Sequence, residues 1–109
     1  MRIEGIHHVS LLVRDLERAR AFYRDVAGLQ EMERPNFDFP GAWFRVGDAG
    51  QQLHLIVHPG ETLREGGLDT RDGHFAIRIS DFDEMIARLE EKGIPYRANR
   101  RSTAGFSQI

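Results

Sequence analysis

The chain of 109 residues contains no cysteine, and this absence excludes several classes of protein at once. Disulfide-stapled folds, zinc–thiolate sites, iron–sulfur sites and enzymes with a cysteine nucleophile all need that side chain. Any metal ion bound by this protein must therefore be held by imidazole, carboxylate or water.

Two further features are missing, a strong excess of charge and a long apolar run. The formal net charge is −2, so nothing favours nucleic acid or an anionic membrane as a partner. Residues 1–5 lack the apolar region of a signal peptide, and no apolar stretch approaches the length of a membrane span. The chain length and these absences lead us to expect a single domain in the cytoplasm.

The sequence does contain the same opening twice. His8 and His74 each stand seven residues before an aspartate, Asp15 or Asp81, with alternating apolar residues between. Such alternation predicts a β-strand, and the aspartate is placed to cap a helix that follows. The repeat predicts two modules related by pseudo-twofold symmetry, with one histidine from each facing a common centre.

The first copy is predicted to fold as a strand, a helix and three further strands. Apolar residues at helical spacing predict a helix from Leu16 to Val26, which Gly28 ends. Gly47 to Gly50 predicts a hairpin connection. The four predicted strands are residues 6–13, 29–34, 42–46 and 52–58.

The second copy repeats this order but is one strand short. Its predicted strands are residues 74–80, 94–99 and 102–109, with a helix that begins at Phe82 and ends before Gly93. A polar, glycine-rich stretch separates the copies. The fold class is therefore α+β, with module one at 1–58, a linker at 59–72 and module two at 73–109.

The alternation also assigns a face to each histidine. In both repeat strands the apolar residues form one face, which we expect to pack on the helix, and the histidine lies on the other. His54, in the last strand of the first copy, shares the histidine side. Three neutral imidazoles, from His8, His54 and His74, would suit zinc, iron(II), manganese, nickel or cobalt.

Several residues are candidates to bind substrate beside these histidines. Arg78 and Gln52 lie on the histidine side, although Arg78 could equally pair with a carboxylate. Either Trp43 or Phe44 faces the cavity, and alternation alone does not choose between them.

The two remaining histidines are predicted to be structural or peripheral. A lone histidine in a strand is more often a surface residue than a metal ligand. The alternation points His7 toward the helix, so we interpret it as structural. His58 lies about four residues beyond His54, roughly 13 Å at the rise of a strand, and is expected at the rim.

Taken together, these segments resemble a known superfamily. Residues 6–29, which begin IHHV and continue through VRDLERARAFY, resemble the opening of vicinal oxygen chelate proteins, the glyoxalase/bleomycin resistance protein/dioxygenase group. The segment GHFA at 73–76 is similar to the start of the family's second module, and LHLI at 53–56 to its first ligand strand. The resemblance implies two βαβββ modules that form an incomplete barrel around a divalent metal ion. His8, His54 and His74 match the first three ligand positions.

The resemblance also implies a fourth ligand, usually a glutamate, from the last strand of module two. The offset between His8 and His74 is 66 residues, and that between Gly41 and Gly105 is 64. Applied to His54, this offset puts the fourth ligand at about position 118, so we expect the last strand of module two to be missing here. Family members often complete their barrels across a dimer, which implies a homodimer.

The ligand set bears on the reaction. Isomerases of the family have a carboxylate or amide at the second ligand position, where a carboxylate can act as a base, whereas this sequence has His54. The resemblance therefore favours a dioxygenase, lyase or transferase acting on a small substrate through two adjacent oxygens. One alternative is a metal-free scaffold with vestigial histidines. Another is a metal-free protein that binds an antibiotic or other small molecule with Trp43, Phe44, Phe37 and Phe39.

Overall fold

A computed structural model describes residues 1–57, 74–101 and 105–109 of the chain. The chain divides into two compact units, Met1–Ala76 and Ile77–Ile109, and the α+β class is confirmed. The predicted linker and His58 lie outside the described residues. No helix in the described ranges combines the length and the apolar character that crossing a bilayer requires.

The first unit contains a four-stranded sheet with the order β1-β4-β3-β2. Strand β1 runs parallel to β4, whereas the β4–β3 and β3–β2 pairs are antiparallel. All four strands predicted for module one are present. Within the described residues the sheet keeps two edges, β1 and β2, and does not close into a barrel. The strands are β1 (His8–Val13), β2 (Gln30–Met32), β3 (Gly41–Val46) and β4 (Gln51–Val57).

The helical segment of this unit begins and ends where the sequence predicted. Helix α1 (Leu16–Ala21) continues directly into a π-helical turn, Phe22–Val26. The Asp15 side chain caps α1 by accepting a hydrogen bond from the backbone N–H of Arg18 at 3.0 Å. Gly28, with φ of 75°, supplies the left-handed residue that stops the segment. The wider π-helical turn was not predicted.

The core of the first unit lies between the helical segment and the apolar face of the sheet. Phe44, Leu53 and Leu55 have no exposed surface, and the ring of Tyr23 lies 6.1 Å from that of Phe44. Burying a side chain of this size stabilises the fold by about 1.5–3 kcal/mol. Leu53 and Leu55 of β4 thus pack on the side that the alternation predicted, and Phe44 of β3, which the alternation left unassigned, packs with them.

The second unit is built on helix α2 (Phe82–Glu91). The Asp81 carboxylate caps it by accepting a hydrogen bond from the Glu84 N–H at 2.8 Å. Gly93, with φ of 64°, follows its C-terminal end. The second aspartate of the repeat therefore has the same role as the first, and the predicted helix is confirmed.

In the part of the second copy that the structure describes, the strands predicted around α2 are not formed, so this part of the prediction was wrong. Residues 74–80 pair with no strand in the described part of the chain. In place of the last two strands, the structure has a single bridge between Asn99 and Gln108, while residues 102–104 are not described. Alternation makes a segment able to extend, but a strand is stable only when neighbouring backbone groups accept and donate its hydrogen bonds.

Candidate functional site

The register of the sheet sets two histidines on its open face. In the pairing of β1 with β4, His8 is opposite Gln52 and Ser10 is opposite His54. In the pairing of β3 with β4, Trp43 is opposite His54. His8 and His54 are therefore diagonal neighbours on adjacent strands, on the side away from the core, as alternation requires.

The side chains on this face form a stack of three rings. The ring of His54 lies 4.1 Å from that of Trp43 with an angle of 5° between the planes. Its other face meets the ring of His8 at 4.3 Å and 16°. His54 is consequently only 8% exposed. The structure also resolves which aromatic residue of β3 faces the site: it is Trp43, because Phe44 is fully buried in the core.

Gln52 orients the buried imidazole. The Nε2 atom of His54 lies 2.8 Å from Oε1 of Gln52. Because an amide oxygen only accepts, Nε2 carries the hydrogen and donates, which leaves the lone pair of His54 on Nδ1. Gln52 therefore contacts His54, and its role in binding substrate stays a prediction.

The environment keeps the His54 ring neutral. Burial lowers the pKa of its imidazole below the ordinary value of 6.5, since a charged ring would lose its hydration. The neighbouring charges act in the same direction, in the order His8, His7 and Arg34. A neutral imidazole is the form that can bind a metal ion or accept a proton.

His7 does not point toward the helix, and that interpretation was wrong. It precedes the first residue of β1, so the alternation of the strand does not extend to it. Its exposed ring lies 5.2 Å from that of His8, nearly perpendicular to it, and the two Nδ1 atoms are 2.9 Å apart. One of these nitrogens donates and the other accepts, so the tautomers of the two side chains are coupled.

An arginine that the sequence analysis did not single out lies beside the ring stack. The guanidinium carbon of Arg34 is 4.8 Å from the centre of the Phe37 ring and 4.9 Å from that of Phe39. Its Nη2 donates to the Phe39 carbonyl oxygen at 2.9 Å. The centre of the Phe37 ring in turn lies 6.1 Å from the centre of the Trp43 ring. Counting alternate residues from β2 would have put position 34 on the histidine side, but β2 ends at Met32.

The third predicted ligand is not gathered with the other two. His74 is exposed and precedes the second unit, and Arg78 is exposed within that unit. In the described ranges, no group of three or more histidine, aspartate or glutamate side chains is arranged to hold a metal ion. The structure brings together His8 and His54, and the role of His74 stays a prediction.

The pair has the donor chemistry for a divalent transition metal, because both groups are imidazoles and one is kept neutral by burial. Imidazole lone pairs lie in the plane of the ring. The nearly parallel planes of His8 and His54 therefore do not converge on one point. Binding of one ion by both rings therefore requires rotation of these side chains out of the stack.

The family is established by comparison with known proteins. Residues 5–105 match the family model of the Glyoxalase/Bleomycin resistance protein/Dioxygenase superfamily. The match extends over nearly the whole chain, so this protein belongs to that superfamily, as the resemblance indicated.

Individual relatives agree with this assignment. The chain is 27% identical over 97 residues to Glyoxylase I 4 of Arabidopsis thaliana, an alignment that covers 88% of this chain and 56% of the relative. It is 30% identical over 93 residues to lactoylglutathione lyase of Haemophilus influenzae, covering 81% and 67%. The chain thus spans little more than half the length of the Arabidopsis relative.

Solved structures share the fold. A Bacillus anthracis protein assigned to the glyoxalase family superposes with a TM-score of 0.76 at 26% identity, covering 94% of this chain and 81% of that one. The fosfomycin resistance protein FosX of Mesorhizobium loti superposes with a TM-score of 0.65 at 26% identity, covering 88% and 75%. The glyoxalase-like architecture is therefore confirmed.

Proposed function

We propose that this protein is a metal-dependent enzyme that acts on a small substrate through two adjacent oxygen atoms. His8, His54 and His74 are the proposed ligands of a divalent ion: zinc, iron, manganese, nickel or cobalt. The observation that carries the proposal is the contact between His8 and His54, which come from β1 and β4 and meet on the open face of the sheet.

The ion, when bound, would polarise the two substrate oxygens and stabilise negative charge that develops on them. The chain itself supplies orientation. Gln52 sets the direction of the His54 ring by accepting from Nε2, and Trp43 covers one face of that ring against water. His8 can offer its Nε2 lone pair only if its Nδ1 donates to His7.

The surroundings of His54 support dioxygenase or lyase and transferase chemistry over isomerisation. An isomerase needs a group that accepts and returns a proton at the reacting carbon. In the part of the chain that the structure describes, the hydrogen-bond and ring partners of the His8–His54 pair are imidazole, amide and indole groups, with no carboxylate among them. An amide such as Gln52 cannot take up a proton at neutral pH.

Metal uptake by tag-free protein tests this proposal. After chelator treatment and titration with each candidate ion, we expect about one equivalent per chain, measured by elemental analysis and calorimetry. His8→Ala and His54→Ala should each abolish uptake because each removes a ligand.

His7→Ala is the matched control, since it removes an imidazole from the same segment but leaves the proposed ligands. It should alter the affinity and keep the stoichiometry. Uptake below about a tenth of an equivalent by the unaltered protein would overturn the metal proposal.

A second candidate is a metal-free protein that binds small molecules. Exposed rings favour it: Phe37 is 43% exposed and Phe39 is 37% exposed, and both belong to the cluster beside Trp43. Phe44 was a predicted member of this binding surface, but its burial in the core excludes it. Tight binding of a ligand that survives complete chelation, together with no metal uptake, would favour this function over the enzyme.

The proposal also includes association of two chains as a homodimer in the cytoplasm. Strands β1 and β2 are edges of the sheet within the described residues, and an unpaired edge is where another chain can add. Sedimentation of the purified protein with and without metal tests the dimer, which a monomeric mass under both conditions would contradict.

A further inference from the structure

The guanidinium of Arg34 lies on the same face of the sheet as the histidine pair. A Cβ atom at Gly41 would lie 3.0 Å from both Nε and Nη2 of this arginine. The side of β3 toward which that Cβ would point is also the side of Trp43, two residues further along the strand. Arg34 therefore occupies the space that a side chain at Gly41 would fill. The pair of Gly41 and Ile56 lies two residues along the strands from the pair of Trp43 and His54.

Aromatic rings connect this guanidinium to the ring stack. Phe37 and Phe39 stack on each other at 5.2 Å and 15°, and Arg34 lies over both. Phe37 contacts Trp43, whose ring covers His54. Because Phe37 and Phe39 keep about two fifths of their surface exposed, the result is an aromatic wall with a cation at one end and the imidazoles at the other.

The charge of Arg34 is poorly compensated. A guanidinium has five N–H groups, yet in residues 1–57, 74–101 and 105–109 its one acceptor is the Phe39 carbonyl oxygen, and Nε is covered without a partner. Other arginines, such as Arg24 and Arg88, pair with carboxylates. A half-buried cation without an anion is costly, so the arrangement favours a ligand that brings one.

We propose that Arg34, Phe37 and Trp43 form a subsite for the carboxylate and ring of a small aromatic acid. The guanidinium binds the carboxylate as a charge-assisted pair, and the rings offer a surface for stacking. The inference rests on the proposed function in one respect, because it names an aromatic acid as the substrate class of that same site.

Trp43 is the single tryptophan of the chain, so its fluorescence reports directly on this subsite. The probes are benzoate and benzamide, which have nearly the same shape and differ in charge. Titrations are made on metal-free protein in the presence of chelator. We expect benzoate to change the emission with a Kd about tenfold lower than that of benzamide, the size of effect that a hydrogen bond to a charged group provides.

Arg34→Gln should remove the preference for benzoate. Arg45→Gln is the matched control, because Arg45 is an exposed arginine on the same face of β3, two residues from Trp43. The Arg45→Gln variant loses the same charge as Arg34→Gln but should still bind benzoate more tightly than benzamide. Circular dichroism establishes that each variant is folded. If Arg34→Gln does not fold, Arg34→Lys replaces it and should retain only part of the preference, because lysine keeps the charge and loses the planar fork.

Equal affinity of the unaltered protein for the two probes would overturn the subsite, and so would a benzoate preference that Arg34→Gln or Arg34→Lys leaves unchanged. Arg34 would then only hold the adjoining loop through Phe39. Because these titrations need no metal, they separate the two proposals. A benzoate preference without metal uptake would support the subsite and contradict the proposal of a metal-dependent enzyme. Metal uptake without the benzoate preference would support that enzyme and contradict the subsite.

Discussion

At the scale of single residues, the environment of His54 is unlike that of an imidazole in water. Its two faces are covered by Trp43 and His8, and its Nε2 hydrogen is directed at Gln52. Burial favours the neutral ring because it opposes charge, and the amide oxygen selects one tautomer of that neutral ring. His54 thus has its lone pair on Nδ1, and binding an ion there together with His8 requires the rings to rotate out of the stack.

The lowered pKa of His54 predicts a pH-dependent stability of the metal-free protein. The unfolded chain binds a proton near the ordinary value of 6.5, whereas the folded chain binds it only at lower pH. The contribution of His54 is therefore complete above about pH 6.5 and is lost as the pH falls from there to the lowered pKa.

Urea unfolding at about pH 7 and about pH 5 measures this change. His54→Phe keeps a stacking ring and removes the titration, so it should show a smaller decrease in the free energy of unfolding. His7→Phe removes an exposed histidine that contributes to the lowered pKa of His54 less than burial does, so it should keep most of the decrease. An equal decrease in the His54 variant would show that other groups cause the acid sensitivity.

At the scale of elements, β3 separates the core from the site. Its alternate residues send Phe44 into the core and Trp43 toward the histidines, while Gly41 at its start admits the Arg34 guanidinium. The same strand thereby determines stability on one face and the shape of the site on the other. A change of register by one residue would exchange the two aromatic side chains.

Gly41→Ala should destabilise the protein and displace Arg34. The added Cβ would lie 2.5 Å from the Leu55 carbonyl oxygen and 3.0 Å from the guanidinium, so strand and arginine must both move. We expect a loss of about 1–3 kcal/mol in the free energy of unfolding, typical of an overpacked position. Denaturant unfolding measures it, and Trp43 emission should shift as its neighbours move. Unchanged stability would mean that β3 is free to separate from β4 at this point.

At the scale of the whole molecule, the repeat predicts more structure than the described residues contain. The aspartate caps and the helices recur in both copies, with Asp15 and Asp81 in the same role. Within the described residues, the paired strands belong to the first copy, where each has a neighbour. The contribution of the second repeat to the site therefore depends on His74, on a segment without strand pairing.

Metal binding should stabilise the whole molecule, and the variants locate its ligands. An ion at a hundredfold excess over its Kd raises the free energy of unfolding by about 2.7 kcal/mol. Thermal unfolding with and without the ion should show this gain in the unaltered protein and lose it in His74→Ala. Should the gain persist in His74→Ala and vanish in His54→Ala, the third ligand does not come from the second repeat.

What the sequence by itself determined follows from local backbone geometry. The period of two in a strand puts His8 and His54 on one face. An aspartate before each helix and a glycine after it set where the two helices begin and end. These features depend only on residues close in the chain. They were therefore predictable, along with the α+β class and the superfamily.

Only the tertiary structure decided the rest. The register of β3 against β4 places Trp43, and not Phe44, beside the histidines. His7 contacts His8 because it lies before the first residue of β1. Arg34 lies near the site because the segment after β2 brings it over Phe37. The strand predicted at residues 74–80 was not formed, although its alternation is as clear as that of β1. The physical reason is common to all four: contacts across strands and hydrogen bonds to a neighbouring strand depend on distant partners, which periodicity does not specify.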